Sequence, residues 1–412
     1  MPSTIERTTL DNGLTIVAEP NPNAHSSSAG FFVRTGTRDE TLDVMGVSHY
    51  LEHMLFKGTS DISAEQLNRA FDEIGARNNA YTSHELTCYY AHVIPEHITR
   101  AVDLLGRMMR PALRTDDFNT EKGVILEEIA MYDDNPFSVL YEETAERHYR
   151  DDPLGYRVLG TKQSITDLSC EQMRSFFSSR YVPNTMTLAL AGKIDFESIV
   201  SQIEQLTRDW PKGAVTRENT PSTTGVGEFV MRRDDVARGY MLGLSDAPAI
   251  DDPARHAFSI ASHILGGGDN SRLHWALIET GLAEEAAAGV EFRDGSGVFM
   301  IYASGNPDQI DTIKQKTLET IDQLAASITD EELERVKTKI ATQVMIGTER
   351  PADLMRRLGK LMTLTGECER LEEELEAFLA VSLNDVVKAV AASPLQPATL
   401  GMLMPAEQQP VD

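Results

Sequence analysis

The sequence predicts an α+β protein of two homologous α/β halves, in which each half is a mostly antiparallel sheet packed with helices. Three observations carry this prediction. The first half opens with strand-like runs separated by turns, and clustered helical patterns follow them. The second half repeats that order coarsely and also closes with a strand. A small, polar, turn-rich stretch separates the two halves.

The elements of the first half follow from turn and capping signals. Asp11-Asn12-Gly13 is a tight-turn signal between strands at 8–10 and 14–18. Ser63 and Gln66 form a capping box that begins a helix at 63–74. The other predicted elements are a strand at 28–34, a helix at 46–58, strands at 78–83 and 85–94, helices around 96–109, 116–132, 138–149 and 170–179, and a strand at 185–191.

The boundary between the halves is predicted from composition. Turn-forming and small polar residues at 211–213 and 220–225 mark a linker. The predicted parts are an N-terminal domain at 1–206, the linker at 207–225 and a C-terminal domain at 226–412. The second-half elements are strands at 228–231 and 239–244, a helix at 253–265, later strands, long helices within 308–378 and a strand at 398–403.

Composition narrows the classes of function. The chain has 412 residues, of which 41% are hydrophobic and 25% charged, as in soluble globular proteins. The 38 basic and 64 acidic residues give a net charge of −26, which argues against nucleic acid or an anionic membrane as partner. The three cysteines, Cys88, Cys170 and Cys368, are isolated, which fits a reducing compartment. Without a signal-like start or a membrane-length apolar run, we expect a cytoplasmic protein.

The most informative stretch is His49-Tyr50-Leu51-Glu52-His53, within the helix predicted to end at Gly58. At about 100° per residue, His49 and His53 share one face, and Glu52 lies about 60° to the other side of His49. Two histidines one turn apart can bind one zinc ion, and a neighbouring carboxylate can act on its water. Such a pentapeptide also arises by chance, so a helix with two solvated or core histidines is the alternative until a third ligand is found.

A third ligand is sought among carboxylates, which commonly complete such a site. In the helix predicted at 116–132, Glu128 lies about 20° from Glu121, whereas Glu127 points about 120° away. Val124 and Ile125 flank the line from Glu121 to Glu128, which predicts that both carboxylates sit on an apolar stripe. An unpaired carboxylate is costly there. Glu128 is therefore a candidate ligand, and a capped or paired structural Glu is the alternative.

The run from residue 8 to about 160 resembles the pitrilysin/insulinase family of zinc metallopeptidases, the inverzincins, and in particular its half-size bacterial and mitochondrial processing-peptidase branch. The matching segments are 10–14, 36–40, 49–59, 79–83, 87–90, 121–128, 153–155 and 159–161.

The resemblance implies a role for each residue of the motif. It implies that His49, His53 and Glu128 hold one Zn²⁺ per chain, that Glu52 is the general base and that Glu121 assists catalysis. The separation between His53 and Glu128 (128 − 53 = 75) fits the family's spacing to within a residue.

The segment Asn79-Ala80-Tyr81-Thr82 has two interpretations. In isolation it is better explained as a structural strand than as a binding element. The resemblance favours an edge strand near the zinc that pairs with the backbone of a peptide substrate. The predicted function is then a zinc-dependent endopeptidase that cleaves unfolded peptides or presequence-like segments. The alternative is a non-catalytic assembly or scaffold subunit of the same fold.

One departure from the family concerns the partner. Many members carry an Arg and a Tyr seven positions apart after a Ser-Arg-Leu in the second half. Here Ser271-Arg272-Leu273 is followed by residues 277–284 without either residue. A heterodimer with a related subunit could supply the pair, a homodimer could act without it, or activity could be weak. The half-size resemblance predicts a dimer.

Two further patterns in the second half carry no site. His256 and His263 lie seven apart with no H-x-x-E-H between them, so a core or surface role is expected. Residues 266–268 are three glycines, but they follow a helix and lack the P-loop lysine, so a flexible helix stop is expected.

Overall fold

The computed structural model describes residues 4–217 and 224–406. Residues 218–223 of the predicted linker, and residues 1–3 and 407–412 of the predicted domains, lie outside the described residues. The chain forms two compact units. Unit 1 comprises Met1–Ala130, Tyr156–Glu218 and Gln343–Glu372, and unit 2 comprises Met131–Gly155, Asn219–Thr342 and Glu373–Asp412.

Strands and helices are numbered in chain order. The strands are β1 Glu6–Thr9, β2 Thr15–Pro20, β3 Ser27–Val33, β4 Arg77–Thr82, β5 Thr87–Val93, β6 Met186–Gly192, β7 Gly227–Arg233, β8 Gly239–Asp246, β9 Glu285–Arg293, β10 Ser296–Gly305 and β11 Thr399–Pro405. The α-helices are α1 Val47–Leu55, α2 Ala64–Glu73, α3 Ile98–Met108, α4 Thr115–Asp133, α5 Pro136–Tyr149, α6 Lys162–Asp167, α7 Cys170–Arg180, α8 Phe196–Thr207, α9 Arg255–Gly266, α10 Ile310–Ser327, α11 Asp330–Thr348, α12 Pro351–Thr365, α13 Leu371–Leu379 and α14 Leu383–Ala392.

The sheet of unit 1 has the strand order β1-β2-β6-β3-β5-β4. Its pairs are antiparallel except for β2 and β6, which run parallel. The hairpin between β1 and β2 turns at Gly13, whose φ of 97° suits a residue without a side chain. The central strand β3 is buried along its whole length, whereas β4 forms an edge of the sheet.

The sheet of unit 2 has the strand order β7-β11-β8-β10-β9. It is antiparallel except for β7 and β11. Apart from the extra strand β1, this order matches that of unit 1 position by position, including the location of the one parallel pair. The predicted fold class, with two homologous halves of mostly antiparallel sheet and helices, is therefore confirmed.

Each unit takes one helix from the other half of the sequence. Helix α5 lies in the first half but packs on β8 and β11 of unit 2. Helix α12 lies in the second half but packs on β3 and β6 of unit 1. The predicted domains 1–206 and 226–412 are continuous stretches, whereas the compact units are not.

Each unit has its own hydrophobic core. In unit 1 the core lies between the sheet and helices such as α1 and α3, with Phe31, Tyr50 and Leu105 among its buried members. In unit 2 it includes Phe258 and Phe299, whose rings pack edge to face at 6.2 Å. Across the described residues, we find no helix with the length and apolar character needed to cross a membrane.

Candidate metal centre

Helix α1 divides its residues between the core and the candidate site. Val47, Tyr50, Leu51, Met54 and Leu55 are buried in the core of unit 1, as the helical period requires. The remaining face carries His49, Glu52 and His53. Gly46 precedes the helix with a φ of 91°, and Gly58 follows it with a φ of 88°. Both turns use backbone conformations that favour glycine.

The N-terminus of α1 is capped from a distance by Glu40. Its two carboxylate oxygens accept hydrogen bonds of 2.7 Å from the backbone N–H groups of Gly46 and Ser48. Burial raises the pKa of Glu40 to about 8, against the opposing effect of these two hydrogen bonds. A carboxyl group therefore anchors the first turn of the helix that carries the histidines.

Helix α4 brings the carboxylates to α1. The Tyr50 hydroxyl donates to the Phe118 carbonyl, and the two rings stack with centroids 4.7 Å apart. Ile125 is buried as predicted, but Val124 is 48% exposed, so the prediction that Val124 flanks a buried stripe is wrong. The buried line continues at Ile129 because that residue lies one turn beyond Ile125.

The structure brings His49, His53 and Glu128 together. One ligand atom from each residue lies within 4.8 Å of the other two. Glu128 Oε2 is 3.8 Å from His49 Nε2 and 3.5 Å from His53 Nε2. The two rings lie 4.7 Å apart between centroids. Glu127, predicted to point away, is exposed.

Glu121 orients one of the two histidines. Its Oε1 lies 2.9 Å from His53 Nδ1, the ring nitrogen that does not face Glu128. Its Oε2 contacts Lys57 Nζ. A hydrogen bond from Nδ1–H to a carboxylate leaves the Nε2 lone pair available for a metal. Glu121 therefore lies behind His53 rather than among the three converging donors.

The electrostatics of the site favour neutral imidazole on His49. Burial, with a contribution from His53, lowers the pKa of His49 to about 3. Burial also acts to lower the pKa of His53, but the hydrogen bond to Glu121 and the surrounding carboxylates outweigh it, so that pKa is raised. For Glu121, burial is outweighed by the hydrogen bonds from His53 and Lys57, which lower its pKa.

Glu52 lies beside the three donors and is held by Thr82. The Thr82 hydroxyl donates a 2.7 Å hydrogen bond to Glu52 Oε2. Burial raises the pKa of Glu52, Thr82 acts against that rise, and the Glu128 carboxylate adds to it. A carboxylate with a raised pKa is better matched to accepting a proton near neutral pH.

The segment Asn79-Ala80-Tyr81-Thr82 is part of β4, which among the described strands pairs with β5 alone and is the edge strand at this end of the sheet. Successive side chains point to opposite faces. Ala80 is buried and Thr82 faces Glu52, whereas Asn79 is exposed and the Tyr81 ring lies 6.5 Å from that of Tyr90. Of these four residues, Thr82 is the one that contacts the candidate catalytic carboxylate.

Two contacts of the site were not predicted from the sequence. Lys57 pairs with Glu121, and Thr82 hydrogen-bonds Glu52. The four-residue spacing from His53 to Lys57 is a signal that would have placed the lysine near the same helical face. No local pattern connects Thr82 to Glu52, because that contact joins a strand to a helix 30 residues earlier.

The part of the second half that the structure describes shows no comparable group. Among the described residues, His49, His53 and Glu128 form the one set of three or more side chains placed to hold a metal ion. His263 Nδ1 lies 2.9 Å from the Ser259 carbonyl, and His256 packs edge to face on Phe378. Arg272, in the Ser-Arg-Leu segment, forms a two-pronged ion pair with Glu332 at 2.9 Å.

Comparison with known proteins agrees with these features. Residues 15–162 match Insulinase (Peptidase family M16), and residues 167–340 match the Peptidase M16 inactive domain. An uncharacterized zinc protease of Streptomyces coelicolor is 32% identical over 94% of this chain and 86% of its own.

Solved structures share the fold. A protease from Helicobacter pylori has a TM-score of 0.92 at 22% identity, covering 98% of this chain and 100% of its own. A chain of complex III from Candida albicans has a TM-score of 0.85 at 20% identity, covering 97% and 95%. Identities this low establish the fold alone. Because of the family matches and the 32% identity with the Streptomyces relative, the chain belongs to the insulinase family, peptidase family M16.

Proposed function

We propose that this chain is a zinc-dependent endopeptidase that cleaves unfolded peptides or presequence-like segments, with one Zn²⁺ per chain. The observation that carries the proposal is the convergence of His49, His53 and Glu128, two of them on α1 and one on α4, with Glu52 beside them. The name of the Streptomyces relative, a zinc protease, supports it.

The donor set fits zinc. Two imidazole nitrogens and one carboxylate oxygen are the protein ligands of many catalytic zinc sites, which keep a further position for water or substrate. Metal binding requires neutral imidazole, and burial holds the pKa of His49 at about 3. When bound, zinc lowers the pKa of a water molecule to about 7 and polarises a substrate carbonyl.

Side chains of this chain transfer the proton and hold the general base and one zinc ligand in position. Glu52 accepts a proton from the attacking water and returns it to the departing amine. Thr82 holds one Glu52 oxygen in place through its 2.7 Å hydrogen bond, which leaves the other oxygen for the proton. Glu121 holds His53 in one ring orientation and one tautomer.

The edge strand β4 supplies the binding surface of the proposal. An extended peptide that pairs with the free edge of β4 at Asn79-Ala80-Tyr81-Thr82 would be gripped by its backbone. Because Thr82 lies on the strand and contacts Glu52, a peptide paired there runs next to the general base. Backbone recognition explains cleavage of unfolded peptides with limited sequence selectivity.

The test is digestion of a mixed peptide pool, read by mass spectrometry, with and without a zinc chelator. We expect chelator-sensitive internal cleavage. Glu52→Gln should lower kcat by about 10²- to 10⁴-fold while zinc content stays at the wild-type level. Glu127→Gln is the matched control, because Glu127 is exposed on α4 and should retain full activity. Full cleavage by Glu52→Gln with zinc bound would refute the mechanism.

The second candidate function is a non-catalytic assembly or scaffold subunit. The structural neighbour in complex III of Candida albicans shows that this fold also occurs in a multisubunit assembly. A scaffold has no need for three converging metal donors and a neighbouring buried carboxylate. Absence of zinc from the purified protein, together with absence of chelator-sensitive cleavage, would favour the scaffold over the peptidase.

We further propose that the active form is a dimer, either of two copies or with a related subunit that supplies an Arg and a Tyr. The motivation is the resemblance to half-size family members, together with the absence of an Arg and a Tyr from residues 277–284 after Ser271-Arg272-Leu273. Sedimentation velocity gives the oligomeric state, and the peptide assay on the same sample shows whether the dimer is the active form. A monomer that cleaves peptides at full rate would contradict this proposal without affecting the metal site.

A further inference from the structure

We infer that Lys57 is a positioning residue of the metal centre, acting through Glu121 on His53. The inference rests on the proposed function, because Lys57 can position a ligand only if His53 binds zinc. It concerns a residue outside the H-x-x-E-H motif and outside the three converging donors.

The two oxygens of Glu121 have separate partners. Oε1 lies 2.9 Å from His53 Nδ1, and Oε2 contacts Lys57 Nζ. The Glu121 side chain is only 6% exposed, so water has little access to replace a lost partner. With Lys57 in place, the carboxylate has one orientation in which both oxygens are satisfied. Without it, the group can rotate away from His53.

Lys57 is itself fixed by the backbone. It is the second residue after the end of α1, and its N–H donates to the Met54 carbonyl at 3.1 Å. Its carbonyl accepts a 3.2 Å hydrogen bond from Arg114 Nη1. These contacts fix the backbone N–H and carbonyl of Lys57. Only the side chain of Lys57 therefore has to become ordered for its ammonium group to reach Glu121. The lysine therefore transmits the position of the α1 terminus to the carboxylate behind His53.

The series of contacts from Lys57 through Glu121 to His53 predicts what the loss of Lys57 would do to zinc binding. A carboxylate that accepts from a metal-binding histidine fixes the ring orientation and raises the basicity of the ligand nitrogen. Losing such an outer partner typically costs about 10- to 100-fold in metal affinity or activity. Lys57 lies one contact further out, so we expect the lower end of that range.

The experiment compares zinc release from the full chain to a colorimetric chelator. Lys57→Met should release zinc about tenfold faster than wild type, and its kcat on a peptide should fall with KM unchanged. Lys57→Arg, which keeps the charge, should restore most of the loss. Lys162→Met is the matched control, because Lys162 is an exposed lysine of the same unit, at the start of α6.

A double variant tests the route through Glu121. Lys57→Met combined with Glu121→Gln should release zinc no faster than Glu121→Gln alone, since both changes break one chain of contacts. Additive effects would overturn the inference, as would wild-type release from Lys57→Met. Lys57→Gln provides a second neutral variant, and failure of both to fold would show a structural role and also overturn it. A wild-type chain that binds no zinc would refute the proposed function itself.

Discussion

The helices α1 and α9 occupy equivalent places in the two units, yet α1 carries a candidate metal site and α9 does not. Each follows the central antiparallel strand of its sheet, β3 or β8, and each packs against its own core. In α1 the two histidines are one turn apart and their rings lie 4.7 Å from each other. In α9, His256 and His263 are seven residues apart, or about 10 Å along the helix axis.

The helices that contact α1 and α9 also differ: α4 offers carboxylates to α1, whereas α11 offers a lysine to α9. In unit 1, α4 directs Glu121 and Glu128 towards the histidines. In unit 2, the long helix α11 instead directs Lys339 to the carbonyl of Gly267, just beyond the end of α9, at 2.8 Å. A cation suits the C-terminus of a helix but cannot bind a metal while protonated. The repeated fold therefore supplies two similar scaffolds, and individual side chains determine which of them carries the candidate metal site.

The largest expected difference between the two units is in zinc binding after one histidine is removed from each. His49→Ala should lower zinc affinity by at least about 100-fold, because it removes a direct donor and even an outer partner costs 10- to 100-fold. His263→Ala should retain wild-type zinc, because His263 Nδ1 is satisfied within α9 by Ser259. Metal content by atomic emission, measured on folded chains, gives the result.

Two further variants sharpen that comparison. His53→Ala should behave like His49→Ala, and His256→Ala like His263→Ala. Zinc loss on changing either second-half histidine would mean that the two units do not differ in the way their geometry indicates.

Much of the candidate site could be predicted from the sequence because its elements are local. The pairing of His49 with His53, and of Glu121 with Glu128, follows from helical periodicity alone. That α1 and α4 meet could not be derived from periodicity, and the family resemblance was needed to select Glu128. The exposure of Val124 was mispredicted because periodicity cannot show how wide a buried stripe is.

Most individual strands and helices could be predicted from the sequence, but the compact unit to which each helix belongs could not. The hairpin at Asp11-Asn12-Gly13 and the capping box at Ser63 are confirmed. Helices α6, α8 and α14 were not predicted. The exchange of α5 and α12 between units was not predicted either, because the apolar face of a helix does not specify which of two similar sheets covers it.

The second prediction contrasts how the two helices begin. Helix α1 depends on the distant, buried Glu40, whereas the Ala254 N–H before α9 donates to the nearby Asp252 at 2.8 Å. Burial raises the folded-state pKa of Glu40 to about 8, above its ordinary value of 4.5, so between these two pH values the folded chain holds a proton that the unfolded chain has released. The contribution of Glu40 to stability is therefore present below pH 4.5 and is lost as pH rises towards 8.

Urea unfolding at pH 5 and pH 8 measures this contribution. Relative to Glu40→Gln, which does not titrate, wild type should lose about 3 kcal/mol of unfolding free energy between these two pH values. Asp252→Asn at the start of α9 is the matched control and should follow wild type across the same range. A wild-type stability that rises with pH relative to Glu40→Gln would mean that the carboxylate is ionised in the folded chain.

The smallest expected effect concerns how closely each exchanged helix approaches its sheet. A Cβ at Gly359 of α12 would lie 2.0 Å from the ring of Phe32, which is fully buried on β3. A Cβ at Gly401 of β11 would lie 2.5 Å from the ring of Phe229 and 2.6 Å from Thr144 Oγ1 on α5. Phe229 is partly exposed and can turn outward, whereas Phe32 has no such freedom.

Gly359→Ala should therefore lower the unfolding free energy by about 1 to 2 kcal/mol, even though alanine gains about 1 kcal/mol of helix propensity. Gly401→Ala should cost less than Gly359→Ala, by calorimetry or urea unfolding. Gly123→Ala is the control, because Gly123 lies in α4 with nothing near its Cβ position, and it should stabilise the chain by up to about 1 kcal/mol. If Gly359→Ala stabilised the chain as Gly123→Ala does, the contact between α12 and β3 would be looser than the one between α5 and β11, the reverse of the geometry described.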